Sequence, residues 1–262
     1  MGKVINVKEY LKKYMKTNQG DVTFQIALDK EFPREKDLVE FGNSLRNQFR
    51  EKKPFPHIIL SNFISIKNLL KNAVDELDLG QPRKWYKSTH KNSYKLFNND
   101  FDDYTQIQKL IFIYLFSDKF MSFLKELTGI KDLVPDTSLF GGGISEIYAG
   151  GYLNPHADFN KHQTELKHLG EHQYRRLNLL LYLNENWKEE CGCSLDLYDE
   201  NKQLYVQYPP LFINCIIFET SKKSYHGNSP WKCNGTRRAI SVYYYSKERG
   251  GQDEERHDTL YF

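Results

Sequence analysis

The sequence predicts an α+β protein with a mainly β core: a helical first half packed on an antiparallel jelly roll or small barrel built by the second half. Three observations carry that prediction. In the first half, apolar residues recur at helical spacing on a charged background. From about Ser138 onward they come instead in short β-branched and aromatic runs, cut by Gly, Pro, Asn and Asp. No helical stretch interleaves with those runs, which argues against a parallel α/β sheet.

The elements follow in chain order. Residues 34–52 carry Leu38, Phe41, Leu45 and Phe49 on one helical face. In "PFPHIILSNFIS", residues 57–60 read as a short strand bounded by prolines and a turn. Helices are predicted over 65–78, over "YTQIQKLIFIYLF" (104–116) and over "DKFMSFLKELTG" (118–129), the last ending on Gly129 as a C-cap. The strand-like runs are "SEIYAGGYLNPHAD", "RRLNLLLYLNENW", "SLDLYDE", "LYVQYP", "LFINCIIFET" and "RRAISVYYYS". "GGGISEIYAGG" is not a dinucleotide fingerprint, because no βαβ unit follows it. The expected division is an N-terminal helical extension over 1–53 and a domain over 54–262. Within the domain, helical support spans 54–137, the jelly-roll core 138–246 and a tail 247–262.

At 262 residues the chain can bury a sizeable interior. Thirty-seven basic residues against thirty-four acidic ones give no reason to expect nucleic acid or an anionic membrane as the main partner. No apolar run approaches the length of a membrane-spanning helix. The first twenty residues lack the apolar centre and cleavage site of a secretory signal, and Asn6 stands where a myristoylation pattern needs Ser or Thr. The expectation is a soluble, cytoplasmic protein. Cys191, Cys193, Cys215 and Cys233 agree with a reducing compartment. Cys191-Gly-Cys193 reads as buried small side chains rather than a thiolate metal site, since no second pair stands at a suitable spacing.

The chemistry begins in "GGYLNPHADFNKH" (150–162). On a strand, His156 and Asp158 face the same side and offer an imidazole and a carboxylate to a divalent metal. Alone the triplet is weak, since Asn-Pro also starts surface turns. His226, 68 residues after Asp158, follows the apolar strand "CIIFET", and a jelly roll brings such distant strands together. Two histidines and one carboxylate leave open positions on an octahedral metal, whereas a structural zinc site closes all four of its own. Arg237 opens the strand "RRAISVYYYS". Adjacent Arg237 and Arg238 face opposite sides, and the small or polar Ala239 and Ser241 give Arg237 room to point inward as a carboxylate clamp.

H-x-D, a distant His and then T-R-x-A-I strongly resemble the iron(II)- and 2-oxoglutarate-dependent oxygenases of the prolyl-4-hydroxylase-like group, over roughly residues 54–246. "PFPHIILSNFIS" is similar to that group's first strand. "RRLNLLLYLNENW" with "CGCSLDLYD" is similar to its central strands, and "TRRAISVYYY" to the last strand of its hypoxia-sensing members. The resemblance implies a double-stranded β-helix fold and three small partners: Fe(II), 2-oxoglutarate and O2. It implies His156, Asp158 and His226 as metal ligands and Arg237 as the partner of the far carboxylate of 2-oxoglutarate. Tyr148 and Tyr182 resemble tyrosines that hydrogen-bond that carboxylate, core packing being the alternative for both. Asn178 and Leu180 share the strand parity of Tyr182 and are candidates to line the pocket.

The activity implied is hydroxylation of an unactivated carbon, with succinate and carbon dioxide as co-products. The substrate implied is a small molecule or a peptidyl, prolyl-like residue. One departure concerns "FNKHQTELKHLGEHQY" (159–174), a longer and more polar connection carrying His162, His168 and His172. It reads as a solvated loop over the mouth, a candidate substrate lid. Two rival readings are a non-catalytic metal-binding jelly roll and a hydrolytic or isomerising one. Both explain the triad, and neither needs a buried arginine.

Overall fold

Stripes of apolar side chains set the helices. The computed structural model describes residues 35–61, 67–88, 90–160, 169–170, 172, 174–247 and 257–262. Among these, α1 (Glu35–Glu51) buries Leu38 and Phe49, and α2 (Lys67–Asp78) buries Leu69, Leu70, Ala73, Val74 and Leu77. α3 (Gln106–Phe116) starts at a capping box between Thr105 and Gln108 and is buried on nearly every side from Leu110 onward, as the unbroken apolar and aromatic run to Phe116 demands. α4 (Asp118–Thr128) is capped by Ser117 and stops at Gly129, whose left-handed φ of 80° any side chain would resist. α1 lies against α4 at Gly42, where an added Cβ would come within 2.6 Å of the Phe123 carbonyl. A glycine inside a helix costs about 1 kcal/mol of propensity, offset here by the close approach of two backbones.

Fourteen short strands form the rest: β1 (His57–Leu60), β2 (Tyr86–Lys87), β3 (Ser93–Tyr94), β4 (Leu96–Asn98), β5 (Val134–Pro135), β6 (Gly143–Ile147) and β7 (Tyr152–Ala157), then β8 (Tyr174–Tyr182), β9 (Leu195–Tyr198), β10 (Leu204–Tyr208), β11 (Cys215–Glu219), β12 (His226–Asn228), β13 (Arg237–Ser246) and β14 (Leu260–Tyr261). The larger sheet runs β1-β11-β8-β13-β6-β4-β2, with β5 added to β13. The smaller runs β10-β9-β12-β7-β14, with β3 added to β7. From β6 to β13 the chain passes back and forth between the two sheets, which is the double-stranded β-helix that the sequence predicts.

The two faces of the larger sheet have different tasks. Leu177, Leu179 and Leu181 of β8, with Ile240, Val242 and Tyr244 of β13, pack into one core with the helices. Leu180, Tyr182, Ile216, Phe218 and Ala239 point the other way, and Leu195 and Leu197 of the smaller sheet close over them. Period-2 alternation thus commits one face to the helices and frees the other for a site between the sheets.

Several expectations need correction. β2 to β5 occupy part of the stretch read as helical support, and β14 lies in the tail. Cys191 and Cys233 are joined by a disulfide with Cα atoms 4.9 Å apart, so only Cys193 and Cys215 are free thiols. The reading of four reduced cysteines therefore does not hold. His162 and His168 lie outside the described residues, while His172 turns its Nδ1 to the Leu169 carbonyl. No helix among the described residues is long and apolar enough to cross a membrane.

Candidate active site

β7 and β12 pair antiparallel with His226 directly opposite His156, and Asp158 follows two residues further on. Ligand atoms of the three side chains lie within 4.8 Å of one another, and all three residues are buried. His156 Nε2 stands 3.4 Å from Asp158 Oδ1, and His226 Nε2 stands 4.0 Å from Oδ2. Each imidazole turns its Nδ1 to a backbone carbonyl, Asn154 at 2.9 Å and Ser224 at 3.0 Å. A carbonyl only accepts, so Nδ1 carries the proton and the Nε2 lone pair faces the cluster. Burial, together with nearby His156, lowers the pKa of His226 to about 4, which keeps it neutral and ready to ligate. Two imidazoles and a carboxylate fit Fe(II), and among the described residues no fourth ligand closes the set.

Asp158 is held from the opposite sheet. Asn178 Nδ2 donates to its Oδ2 at 3.1 Å, and Arg175 Nη1 lies 3.6 Å from the same oxygen. Burial works against the carboxylate, yet His226, the His156 contact and Arg175 together hold its pKa below the ordinary range. The Arg175 guanidinium is sandwiched between the rings of Phe159 and Tyr243, each centroid 3.6 Å away, and its Nε donates to the Tyr245 hydroxyl.

Strand parity from Asn178 would send Arg175 to the helix side. A bulge reverses it: along β8, Leu177 pairs with Tyr244 but Arg175 pairs with Tyr245, leaving Arg176 as the extra residue. Arg176 bonds Ser246 and Glu219 instead.

A cavity of about 220 Å³ opens beside the cluster. One water needs roughly 10–15 Å³ in the same measure, so this is a binding site and not a packing void. Arg237 lines it from β13. Although only 4 % exposed, its Nε has no hydrogen-bond partner, and among the described residues no carboxylate pairs with it. A buried guanidinium without an anion is costly, so the site fits a ligand carboxylate such as that of 2-oxoglutarate. The Tyr182 ring packs 4.8 Å from the guanidinium, and its buried hydroxyl has no partner either. Burial pushes that hydroxyl up to about 12, leaving it protonated and able to donate.

Asn178 and Leu180 line the cavity. Tyr148 does not: it is 45 % exposed and its hydroxyl donates to Glu146 at 2.6 Å. Ser145 and Ile147 of β6 face the cavity, so Glu146 and Tyr148 take the outer side by alternation. The cavity also contains residues the sequence reading missed, namely Arg175, His90, Lys95, Thr259 and Tyr261. Tyr261 pairs across from His156 and stacks on His90 at 4.8 Å. A two-residue strand leaves no periodic signal by which to find it.

Residues 143–245 match the family model of the 2OG-Fe(II) oxygenase superfamily. The chain is 27% identical over 200 residues to prolyl 3-hydroxylase OGFOD1 of Mus musculus, a match covering 73% of this chain and 33% of that protein. The match thus takes in about one third of the relative's length. Its fold is similar to a Pseudomonas putida prolyl-4-hydroxylase (TM-score 0.56, 12% identity, 80% of this chain and 100% of that one). It is also similar to a Trichoplax adhaerens prolyl hydroxylase solved with a hypoxia inducible factor peptide (TM-score 0.56, 18% identity, 88% and 96%). The family match begins where β6 begins and runs into β13, so the segment similar to the 2OG-Fe(II) oxygenase superfamily takes in His156, Asp158, His226 and the inward-facing Arg237.

Proposed function

We propose that the protein is an Fe(II)- and 2-oxoglutarate-dependent dioxygenase that hydroxylates an unactivated carbon of a prolyl or amino-acid-like substrate, with succinate and carbon dioxide as co-products. The observation that carries the reading is Arg237, a buried guanidinium without an anion in the same cavity as the His156, Asp158 and His226 cluster. In this reading those three residues hold the iron, Arg237 pairs with the far carboxylate of 2-oxoglutarate, and the Tyr182 hydroxyl donates to it. When bound, Fe(II) supplies dioxygen activation coupled to oxidative decarboxylation of 2-oxoglutarate. The chain's own part is positional. Nδ1 contacts to Asn154 and Ser224 aim the imidazoles, Arg175 and Asn178 fix Asp158, and Leu153, Leu180 and Leu195 give the cavity apolar walls. Prolyl chemistry is favoured because the matched curated relative is a prolyl 3-hydroxylase. A non-catalytic or hydrolytic metal-binding jelly roll gives Arg237 no task.

The test is succinate formation from 2-oxoglutarate by purified protein under oxygen. It should require Fe(II) and fall away in Arg237→Gln while iron still binds. No succinate with any reconstituted metal, in protein that binds iron, would leave the rival reading in its place.

A further inference from the structure

Lys95 has no task in the proposed chemistry. It lies between β3 and β4 and lines the cavity that holds the His156, Asp158 and His226 cluster and Arg237. Among the described residues its ammonium makes no ion pair and no side-chain hydrogen bond. The charged groups lining the cavity are Lys95, Arg175 and Arg237 against Asp158. Arg175 is taken by Asp158. Arg237 is taken by the far carboxylate of the cosubstrate in the proposed chemistry. Lys95 remains as a cation without an ion-pair partner. Burial and the nearby Arg237 lower its pKa more than Asp158 raises it, so a carboxylate beside it would relieve an unfavourable charge.

A second observation comes from the surrounding segment. Residues 79–99 contain Arg83, Lys84, Lys87, Lys91 and Lys95 and not one Asp or Glu. From this segment Ser88, His90 and Ser93 join Lys95 in lining the cavity. Lys84 is paired with Asp100, but Lys87 rests over the exposed Tyr94 ring at 4.8 Å and Lys91 is exposed. Exposed Lys87 and Lys91 thus stand next in sequence to Ser88 and His90, which line the cavity with Lys95. Over the whole chain the charges nearly balance to a net +3, which disfavours a polyanion such as nucleic acid. One cation inside the cavity fits one carboxylate close to the reacting carbon.

We propose that the substrate is an acidic peptide, with an Asp or Glu adjacent to the target residue whose carboxylate meets Lys95 while Lys87 and Lys91 attract flanking acids. This rests on the oxygenase reading with a peptidyl substrate. The test needs no turnover. Labelled prolyl peptides of one length, with Glu, Gln or Lys on either side of the proline, are titrated by fluorescence anisotropy into protein loaded with Mn(II) and 2-oxoglutarate. The Glu peptide should bind about tenfold tighter than the Lys peptide. Lys95→Met should level Glu with Gln, and Lys95→Glu should invert the order. Equal binding, no binding, or an order that survives Lys95→Glu in folded protein overturns the inference. So does a single-stranded oligonucleotide that competes better than the Glu peptide, or Lys95→Met weakening 2-oxoglutarate binding as much as Arg237→Gln. Peptide-independent succinate release by wild-type protein reports the oxygenase reading separately. If it is present without a peptide preference, only the acidic-peptide inference falls; if it is absent, the underlying reading falls first.

Discussion

Two adjacent arginines on β13 should fail in different ways. Arg237 pairs across from Ile147 and enters the cavity, while Arg238 pairs across from Glu146 and leaves on the outer face. Arg237→Gln removes a guanidinium that is 4 % exposed, and breaking a desolvated Arg–carboxylate pair costs ~2–5 kcal/mol. That corresponds to 2-oxoglutarate binding weaker by roughly 30-fold or more. Isothermal titration of 2-oxoglutarate into metal-loaded protein reads it directly, and iron affinity should barely move. Arg238 Nε donates to Glu146 at 2.7 Å, and the Glu146 side chain is 4 % exposed. Arg238→Gln therefore leaves a buried carboxylate without its cation and with only the Tyr148 hydroxyl, for about 3 kcal/mol of stability; the second partner of Arg238, Asp78, is exposed and adds little. For a chain of this size the melting temperature should drop by roughly 6–12 °C. If Arg238→Gln weakens 2-oxoglutarate binding more than Arg237→Gln does, β13 is one residue out of register and the clamp assignment is wrong.

His156→Ala, Asp158→Ala and His226→Ala should each abolish Fe(II)-dependent succinate release in folded protein, and full activity in any one of them removes that residue from the triad. Arg175→Met keeps the bulk between Phe159 and Tyr243 but loses the charge at Asp158; iron affinity should fall ~10–100-fold, and an unchanged affinity would make Arg175 a packing residue only. Metal-free protein should lose stability as pH falls from 6.5 toward 4. Burial lowers the pKa of both His57 and His226, so the unfolded chain takes up protons first and gains stability relative to the fold. A melting temperature that rises over that fall, or a slope unaltered by His57→Gln, contradicts this. The Cys191–Cys233 bridge closes a loop with a separation of 42 residues, so Cys233→Ser should cost up to about 4 kcal/mol, read by denaturant unfolding.

How much of this was legible depends on element length. β8 and β13 run nine and ten residues, long enough for alternation to assign each side chain a face, and Arg237, Asn178 and Leu180 lie where that alternation sends them. His156 and Asp158 share a face for the same reason. β2, β3, β5 and β14 are two residues each, below the length at which any period exists, and their stretches read as support or tail. Tyr148 was misplaced although the signal was present: it shares parity with Glu146, and Ser145 and Ile147 already occupy the inner face. Arg175 was invisible for the opposite reason. Its alternation pointed to the helices, and only pairing with β13 reveals the bulge at Arg176 that turns it around. The disulfide joins the loop after β8 to the loop after β12, a proximity that sequence spacing does not encode.

The division of labour between the sheets explains why the site tolerates strands so short. The proposed metal ligands stand on β7, β12 and the residue after β7, all in or beside the smaller sheet; Arg237, the proposed anion clamp, stands on β13 in the larger one. Packing through Leu180, Leu195, Leu197 and Ile216 fixes the spacing of the sheets but not the direction of a carboxylate. Arg175 and Asn178 supply that direction, because both reach from β8 across the gap to the same oxygen of Asp158. These two contacts from the larger sheet to one carboxylate tie the proposed metal ligand to the strand neighbouring the proposed cosubstrate clamp. Loosening β8 should therefore disturb iron binding and 2-oxoglutarate binding together, whereas changes confined to β12 or to Arg237 should disturb one before the other.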